Sequence, residues 1–228
     1  MSNIDNKTIN YKKILAVIGS DMRNSLTLMF QALSTHSQPM ETLSINELNE
    51  IKYQVQRLNG DLTQLLSLYN VEDNKLMVNI NEVIVSDIIE YAVLQNNFYT
   101  ESKNINIDVN IDEDLTWYLD RNLIIHLIDD IISNAVRYSH KHISIDVKII
   151  DNILNISISD DSDGYPEEMM VAAIADIESL ASDYGRMGIG LLFSKLIVLS
   201  HSNDGKCGKF LLENNTKLGG STFTVQLP

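Results

Sequence analysis

RNLIIHLIDDIISNAVRY, residues 121–138, carries the clearest structural pattern in this chain. Its apolar residues recur every three or four positions, which predicts an amphipathic helix. A second apolar stretch, NEVIVSDIIEYAVLQNNFY (81–99), predicts another helix. Five shorter segments combine alternating apolar residues with strand-forming residue types, which predicts β-strands. They are INIDVNID (105–112), HISIDVKII (142–150), ILNISISD (153–160), KFLLEN (209–214) and STFTVQLP (221–228). The pattern indicates an α+β domain with a largely antiparallel sheet and helices on one face.

The residues before this domain follow a heptad pattern. Positions at alternating spacings of three and four form two sets: Leu15, Ile18, Met22, Ser25, Met29 and Ala32, then Leu48, Ile51, Val55, Leu58, Leu62, Leu65 and Tyr69. Pro39 marks the turn between them, and Ser44 with Glu47 forms a capping box before the second helix. The sequence therefore predicts an antiparallel helical hairpin over residues 1–72. The α/β domain follows over residues 73–228, after the polar junction VEDNK.

Each helix of the hairpin also carries a second apolar edge, with Leu26 on the first helix and Leu66 on the second. Pairing two hairpins into a four-helix bundle would cover both edges, so we expect a homodimer. The alternative is an intramolecular coiled coil that packs on the following domain.

The composition narrows the function classes. The formal charge is −14, from 31 acidic and 17 basic residues, and no basic stripe is present, so we expect no nucleic-acid partner. The single cysteine, Cys207, suits a reducing compartment. No apolar run reaches the length of a membrane span, and the N-terminus lacks the pattern of a signal peptide. We therefore expect a cytoplasmic protein without a membrane partner.

Five motifs in order resemble the sequence boxes of bacterial sensor histidine kinases. They are AVIGSDMRNSLT (16–27) for the H-box, DDIISNAVRY (129–138) for the N-box, SDDSDGYP (159–166) for the first glycine box D-x-G-x-G-I-P, GRMGIGLLFSK (185–195) for the second, and the closing GGSTFTVQLP (219–228). The resemblance covers nearly the whole chain. It implies a hairpin that dimerises into a four-helix bundle, followed by an ATP-binding α/β sandwich of the GHKL type.

The resemblance also identifies a missing residue. The family's phosphate-accepting histidine corresponds to Ser20, and a serine hydroxyl is a poor nucleophile without an adjacent base. We therefore expect no autophosphorylation. Asp21 and Asn24 keep the spacing that the family uses to dephosphorylate its partner response regulator, where the Asn carboxamide orients a water. The alternative is that both are ordinary polar residues on a solvated helix face.

The resemblance implies a nucleotide site whose members would contact the metal ion, the phosphates or the base: Asp130, Asn134, Arg137, Tyr138, Asp160, Gly164, Gly188 and Gly190. Asn134 would hold Mg²⁺, and Asp160 would accept a hydrogen bond from the adenine amino group. Gly164 would let the base approach, and Gly188 with Gly190 would cradle phosphate where the lid meets a helix N-terminus.

The other members of this site lie on the predicted helix. Arg137 would contact phosphate, and the ring of Tyr138 would lie beside the adenine. Asp130 replaces the family's usual Asn and is acidic like the hydrolytic base of gyrase-type ATPases.

Several departures predict that binding of ATP and Mg²⁺ is weakened or lost. Ser162 replaces the first glycine of its box, and Arg186 with Met187 replaces a Gly-Thr pair. The lid, residues 160–190, carries eight acidic residues and a single basic one, and this charge repels an anionic nucleotide.

The sequence thus predicts a degenerate, homodimeric histidine-kinase-like protein of two-component signalling. Its expected partner is the receiver domain of a response regulator, on which it acts by binding or by removing phosphate. A separate sensor protein is a further candidate partner, because no sensor domain is recognisable. Two alternatives stay open: a nucleotide-dependent kinase or ATPase with another acceptor, and an inert dimeric adaptor.

Overall fold

The computed structural model describes residues 18–20, 22–29, 51, 54–55, 58, 60, 62, 71–72, 75–182, 185–214 and 217–228. The described residues from 18 to 62 are helical. Most of the predicted hairpin, including Asp21, lies outside the described residues. Across the part of the chain that is described, no helix is long and apolar enough to cross a membrane.

Strands and helices alternate through the rest of the chain. The strands are β1 (Val71–Glu72), β2 (Lys75–Leu76), β3 (Asn81–Ile84), β4 (Asn106–Asn110), β5 (Thr116–Leu119), β6 (His142–Ile150), β7 (Ile153–Asp160), β8 (Ser202–Asn203), β9 (Lys206–Cys207), β10 (Lys209–Asn214) and β11 (Ser221–Leu227). The helices are α1 (Val85–Lys103), α2 (Arg121–Tyr138), α3 (Glu167–Ile174), α4 (Ile177–Ser182) and α5 (Gly185–Ser200).

A five-stranded sheet in the order β10-β11-β7-β6-β4 forms the centre of the domain. Its neighbours are antiparallel except for β4 and β6, which run parallel. Alternate residues such as Ile145 and Ile156 are buried on the face that packs against α2 and α5. On the other face, small polar side chains bond across the strands, as Ser159 does with Thr222 at 2.8 Å. The predicted α+β domain with a largely antiparallel sheet is confirmed.

Two local predictions were wrong. The helix expected over residues 81–99 begins at Val85, because Asn81–Ile84 is extended and pairs with β5. The strand β5, which the sequence analysis missed, supplies backbone partners that local periodicity cannot reveal. The junction VEDNK is also more than a linker, since Val71–Glu72 pairs antiparallel with Lys75–Leu76.

Helix α2 is fixed at both ends. At its start, Asp120 Oδ1 accepts the N–H groups of Asn122 at 3.0 Å and Leu123 at 3.1 Å, which makes Asp120 the N-cap. At its end, the ammonium group of Lys103 donates to the Val136 carbonyl oxygen at 2.9 Å. A cation at this position satisfies a terminal carbonyl and complements the helix dipole. The helix that carries four predicted site residues is therefore held rigidly.

The buried side chain of His201 hydrogen-bonds the backbone of the residue that caps α2. The side chain is 3% exposed, and its Nε2 accepts the Asp120 N–H at 3.0 Å. Because Nε2 is an acceptor, the ring proton is on Nδ1, which donates to the Ile197 carbonyl oxygen at 2.7 Å. Burial lowers the pKa of His201 below its ordinary value, although the nearby Ile197 carbonyl and Asp120 charge oppose this. The folded protein thus holds His201 neutral.

This neutral histidine predicts a pH dependence of stability. Below pH ~6.5 the unfolded chain binds a proton at His201 that the folded protein does not bind, so the folded state loses stability as the pH falls. The contribution is up to about 1.4 kcal/mol per pH unit. In His201→Asn that slope should disappear, while stability at neutral pH drops by about 1–3 kcal/mol because the Asp120 N–H loses its acceptor.

Urea unfolding at neutral and mildly acidic pH measures both effects. His142→Gln serves as the matched control, because the His142 side chain is exposed. An unchanged acid slope in His201→Asn would show that other groups carry the pH dependence.

Candidate nucleotide site

The four predicted residues on α2 lie on one face. Asp130, Asn134, Arg137 and Tyr138 are all exposed, whereas the opposite face, which includes Ile128, is buried in the core. Asn134 is four residues from both Asp130 and Tyr138 and three from Arg137, spacings that place the other three beside it on one side of the helix. The structure therefore brings these four together as a polar strip on α2.

A neighbouring carboxyl group plays a different part. Asp129 faces α1, where its Oδ1 accepts the Asn96 side-chain N–H at 2.8 Å. Burial raises the pKa of Asp129, while the Asn96 hydrogen bond and the nearby His126 lower it by less. Asp129 thus belongs to the contact between helices α1 and α2, and Asp130 is the carboxylate on the exposed strip.

Asp160 ends strand β7 and is 4% exposed. Its Oδ1 accepts the N–H groups of Ser162 at 3.0 Å and Ser221 at 3.1 Å, and its Oδ2 accepts the Ser221 hydroxyl at 2.6 Å. A carboxylate offers about four acceptor positions, so roughly one remains on Oδ2. The arrangement suits a single further donor, such as one N–H of an exocyclic amine.

Gly164 occupies a backbone conformation that a side chain would strain. Its φ is +89°, and a Cβ at this position would lie 3.0 Å from the side chain of Asn214. The Asn214 amide also forms two hydrogen bonds with the backbone of Tyr165. Its Oδ1 accepts the Tyr165 N–H at 2.7 Å, and its Nδ2 donates to the Tyr165 carbonyl oxygen at 2.9 Å. The loop after Asp160 is therefore clamped to the end of β10.

Gly220 allows the last strand to approach this loop. A Cβ at Gly220 would lie 2.4 Å from the Ser162 backbone nitrogen, so only glycine fits. Sequence reasoning missed Gly220, Ser221 and Asn214 as site residues. The pair Gly219–Gly220 directly before a strand was the available signal.

Ser162, which replaces a glycine of the resembled motif, closes the turn without strain. Its backbone is not among the positive-φ conformations of the described residues. Its N–H donates to Asp160, and its Oγ accepts the Gly164 N–H at 3.1 Å. The turn at this position therefore does not require glycine, and the serine side chain adds a hydrogen bond that holds it.

Asp161 joins this loop to the end of α2. Its Oδ1 accepts the His140 N–H at 2.8 Å, and its carboxylate also accepts the Lys141 N–H. Burial alone would raise the pKa of Asp161, but the N–H groups of Lys141, His142 and His140 outweigh it and lower the pKa. Asp160 and the polar strip on α2 consequently share one edge of the domain.

Gly188 and Gly190 lie in the first two turns of α5. Gly188 is buried, and a Cβ at Gly190 would meet no atom within 4 Å. The ammonium group of Lys195 donates to the Ala175 carbonyl oxygen and joins α5 to the segment between α3 and α4. Residues 183–184 lie outside the described part, as do the side chains of Arg186 and Met187.

Ser20 and Asn24 lie one turn apart on a helix. Ser20 is half-buried and Asn24 is exposed. Their spacing of four places them on the same side of the helix. An exposed carboxamide is accessible to a docked protein.

The described side chains alone do not provide a complete set of metal ligands. Within the described residues, no cluster of three or more His, Cys, Asp or Glu could hold a metal ion. Asn134 offers one amide oxygen, and Mg²⁺ commonly takes the rest of its ligands from water and substrate phosphates. A nucleotide would therefore have to bring its own metal ligands to this strip.

Residues 119–228 match the family described as histidine kinase-, DNA gyrase B- and HSP90-like ATPase. This part of the chain is therefore similar to that ATPase family. The match spans α2, the Asp160 loop and α5, so every predicted nucleotide residue lies inside it. The resemblance to histidine kinases that the sequence boxes predicted is confirmed.

Curated relatives extend the similarity towards the N-terminus. The adaptive-response sensory kinase SasA of Synechococcus elongatus is 22% identical over 244 residues, which cover 100% of this chain and 61% of the relative. The sensor histidine kinase WalK of Bacillus subtilis is 23% identical over 236 residues, which cover 95% of this chain and 36% of the relative. The chain thus spans less than two thirds of the length of these relatives.

Solved structures share the fold. The Acinetobacter baumannii histidine kinase AdeS matches with a TM-score of 0.61 and 18% identity, over 91% of this chain and 96% of that chain. The catalytic domain of histidine kinase ThkA matches with a TM-score of 0.54 and 20% identity, over 66% of this chain and 96% of that chain. The ATPase-type domain therefore has the architecture of histidine kinase catalytic domains.

Proposed function

We propose that this chain is a two-component signalling protein that binds an adenine nucleotide, does not phosphorylate itself on histidine, and controls a response regulator. The observation that carries the proposal is the environment of Asp160. Its carboxylate is buried, holds three donors from the protein and keeps about one acceptor position for a ligand.

The surroundings of Asp160 support an adenine nucleotide. The exocyclic amine of adenine supplies the one N–H donor that Oδ2 can still accept. The strip on α2 adds Arg137 for phosphate and Asn134 for a phosphate-bound Mg²⁺. The hydrogen bonds of Ser162 with Asp160 and Gly164 also hold the conformation of the loop. This supports a site that still binds nucleotide despite the acidic lid.

The helix bearing Ser20 supports the second half of the proposal. Serine in the acceptor position offers no neutral nitrogen nucleophile. The exposed Asn24 remains available to orient water at the phospho-aspartate of a bound receiver domain. Because response regulators act in the cytoplasm, we place the protein there.

We further propose that the predicted hairpin, residues 1–72, forms a homodimer, with the ATPase-type domain following over 73–228. Two described residues of the second heptad set support dimerisation. Val55 is 50% exposed and Leu62 is 42% exposed in the single chain. Covering them against a second hairpin would remove apolar surface from water.

Incubation with radiolabelled ATP tests the proposal. The unaltered protein should acquire no acid-labile phosphate, because Ser20 cannot form a phosphohistidine. Ser20→His restores the nucleophile without touching the nucleotide site, so this variant should become labelled.

The control variant Ser20→Ala should stay unlabelled. Acid-labile phosphate on the unaltered protein would refute the missing-acceptor proposal. If Ser20→His is folded but stays unlabelled and does not bind Mg-ATP, the nucleotide half of the proposal is wrong.

A further inference from the structure

Asn214, the last residue of β10, joins the sheet to the loop that follows Asp160. Its backbone pairs with Ser221, the residue of β11 that supplies two of the three Asp160 donors. Its carboxamide accepts the Tyr165 N–H at 2.7 Å and donates to the Tyr165 carbonyl oxygen at 2.9 Å. A carboxamide has the same donor and acceptor groups as a peptide unit. Asn214 therefore binds the loop as a neighbouring strand would.

Gly164 leaves the space that the Asn214 side chain occupies. A Cβ at Gly164 would lie 3.0 Å from both Cγ and Oδ1 of Asn214, and the next nearest atom would be Nδ2 of the same side chain at 3.3 Å. These distances are closer than ordinary van der Waals contact, so a side chain at 164 would push against the amide. The glycine at this position therefore makes room for Asn214.

A series of hydrogen bonds leads from this contact to the carboxylate of Asp160. The Gly164 N–H donates to Ser162 Oγ at 3.1 Å, and the Ser162 N–H donates to Asp160 Oδ1 at 3.0 Å. The Ser221 N–H is the second donor to Oδ1. Both acceptor positions of Oδ1 are thereby filled, and the remaining acceptor position is on Oδ2.

We propose that Asn214 is a positioning residue for the base of the nucleotide. By holding the loop at Tyr165, it keeps the Ser162 N–H on Asp160 Oδ1 and leaves Oδ2 directed at the exocyclic amine. Without the two hydrogen bonds to Asn214, the loop would have to become ordered when the base binds, and that ordering costs conformational entropy. The inference rests on the proposed function, because it names a residue that prepares the proposed nucleotide site for its ligand.

Calorimetric titration with Mg-ADP and with the diphosphate of purine riboside, which lacks only the exocyclic amine, tests the proposal. The unaltered protein should bind ADP about 10- to 100-fold more tightly than the analogue, the effect of one hydrogen bond to a charged group. Asn214→Ala should weaken ADP binding by about tenfold and leave analogue binding nearly unchanged, because only ADP uses the carboxylate position that the loop maintains.

Two further variants complete the experiment. Asn214→Asp keeps the shape of the side chain and the acceptor for the Tyr165 N–H but loses the donor to the carbonyl oxygen, so it should also weaken ADP selectively. Asn110→Ala is the matched control and should bind both ligands like the unaltered protein. Asn110 is an exposed asparagine at the end of β4, at the opposite edge of the sheet from β10, and donates to the Asp146 side chain.

The outcomes separate the positioning role from the proposed nucleotide binding. If the Asn214 variants that urea unfolding shows to be folded weaken both ligands equally, or neither, Asn214 contributes to the fold alone and the positioning role is refuted. If the unaltered protein binds both ligands equally well, Asp160 does not contact the amine, and the positioning role fails for that reason. If the unaltered, folded protein binds neither ligand, the proposed nucleotide binding itself is wrong.

Discussion

Replacing Asp160 by asparagine should weaken the binding of Mg-ADP by about 100-fold. Asparagine has the same shape as aspartate, but one accepting carboxylate oxygen becomes a donating NH2 group. In the folded protein, Ser162 and Ser221 direct three donors at the carboxylate. The asparagine oxygen would keep the two backbone N–H groups, so its NH2 group would face the Ser221 hydroxyl and the amine of the base. The loss should therefore exceed that of a single surface hydrogen bond.

Asp163→Asn provides the matched control for this variant. Asp163 lies in the same loop, its side chain is 99% exposed, and the substitution removes the same charge. Calorimetry should show near-normal Mg-ADP affinity for the control, while urea unfolding reports how far each variant is destabilised. Equal affinities for Asp160→Asn and Asp163→Asn would mean that Asp160 only holds the turn.

Replacing Asn24 by alanine should slow the release of phosphate from a cognate response regulator by roughly 10²–10⁴-fold, the usual contribution of a positioned polar group to proton transfer or water activation. Ser20 lies one turn from Asn24 on the same side of the helix and is small, so it leaves room for a water and an aspartyl phosphate. Asn24 is exposed, so its loss should leave folding and regulator binding intact.

The measurement follows the decay of phosphorylated candidate regulators mixed with each variant, alongside their equilibrium binding. Thr27→Ala is the control, because Thr27 is exposed on the same helix and bonds only the local Arg23 carbonyl oxygen within the described structure. If a regulator binds but loses phosphate equally fast with Asn24→Ala and with the unaltered protein, the protein acts as an adaptor.

Local patterns predicted several elements to the residue. Strands β6, β7 and β10 and helix α2 have the bounds that the sequence indicated. The turn between β6 and β7 shows why, since Asp151 and Asn152 adopt φ values of 52° and 59° that these residue types tolerate. Where periodicity, caps and turn residues agree, neighbours in sequence determine the element.

Strand β3 shows the limit of local information. Residues 81–84 continue smoothly into an apolar helical pattern, yet they pair with β5, and Val83 lies opposite Trp117. The backbone hydrogen bonds of a strand come from a distant segment, so local periodicity favoured the helix and tertiary pairing overrode it.

The candidate site divides in the same way. The motif SDDSDGYP was enough to identify Asp160 and the glycine that follows it in the loop, and the periodicity of α2 showed which of its residues share an exposed face. No local pattern could show that Ser221 fills two acceptor positions of Asp160 or that Asn214 hydrogen-bonds both backbone groups of Tyr165. These partners lie about 50–60 residues further along the chain, and they meet because β7, β11 and β10 are neighbours in the sheet. Hydrogen bonding acts over a few ångströms in space, so the sequence determined the chemical groups and the folding of distant strands decided which of them act together.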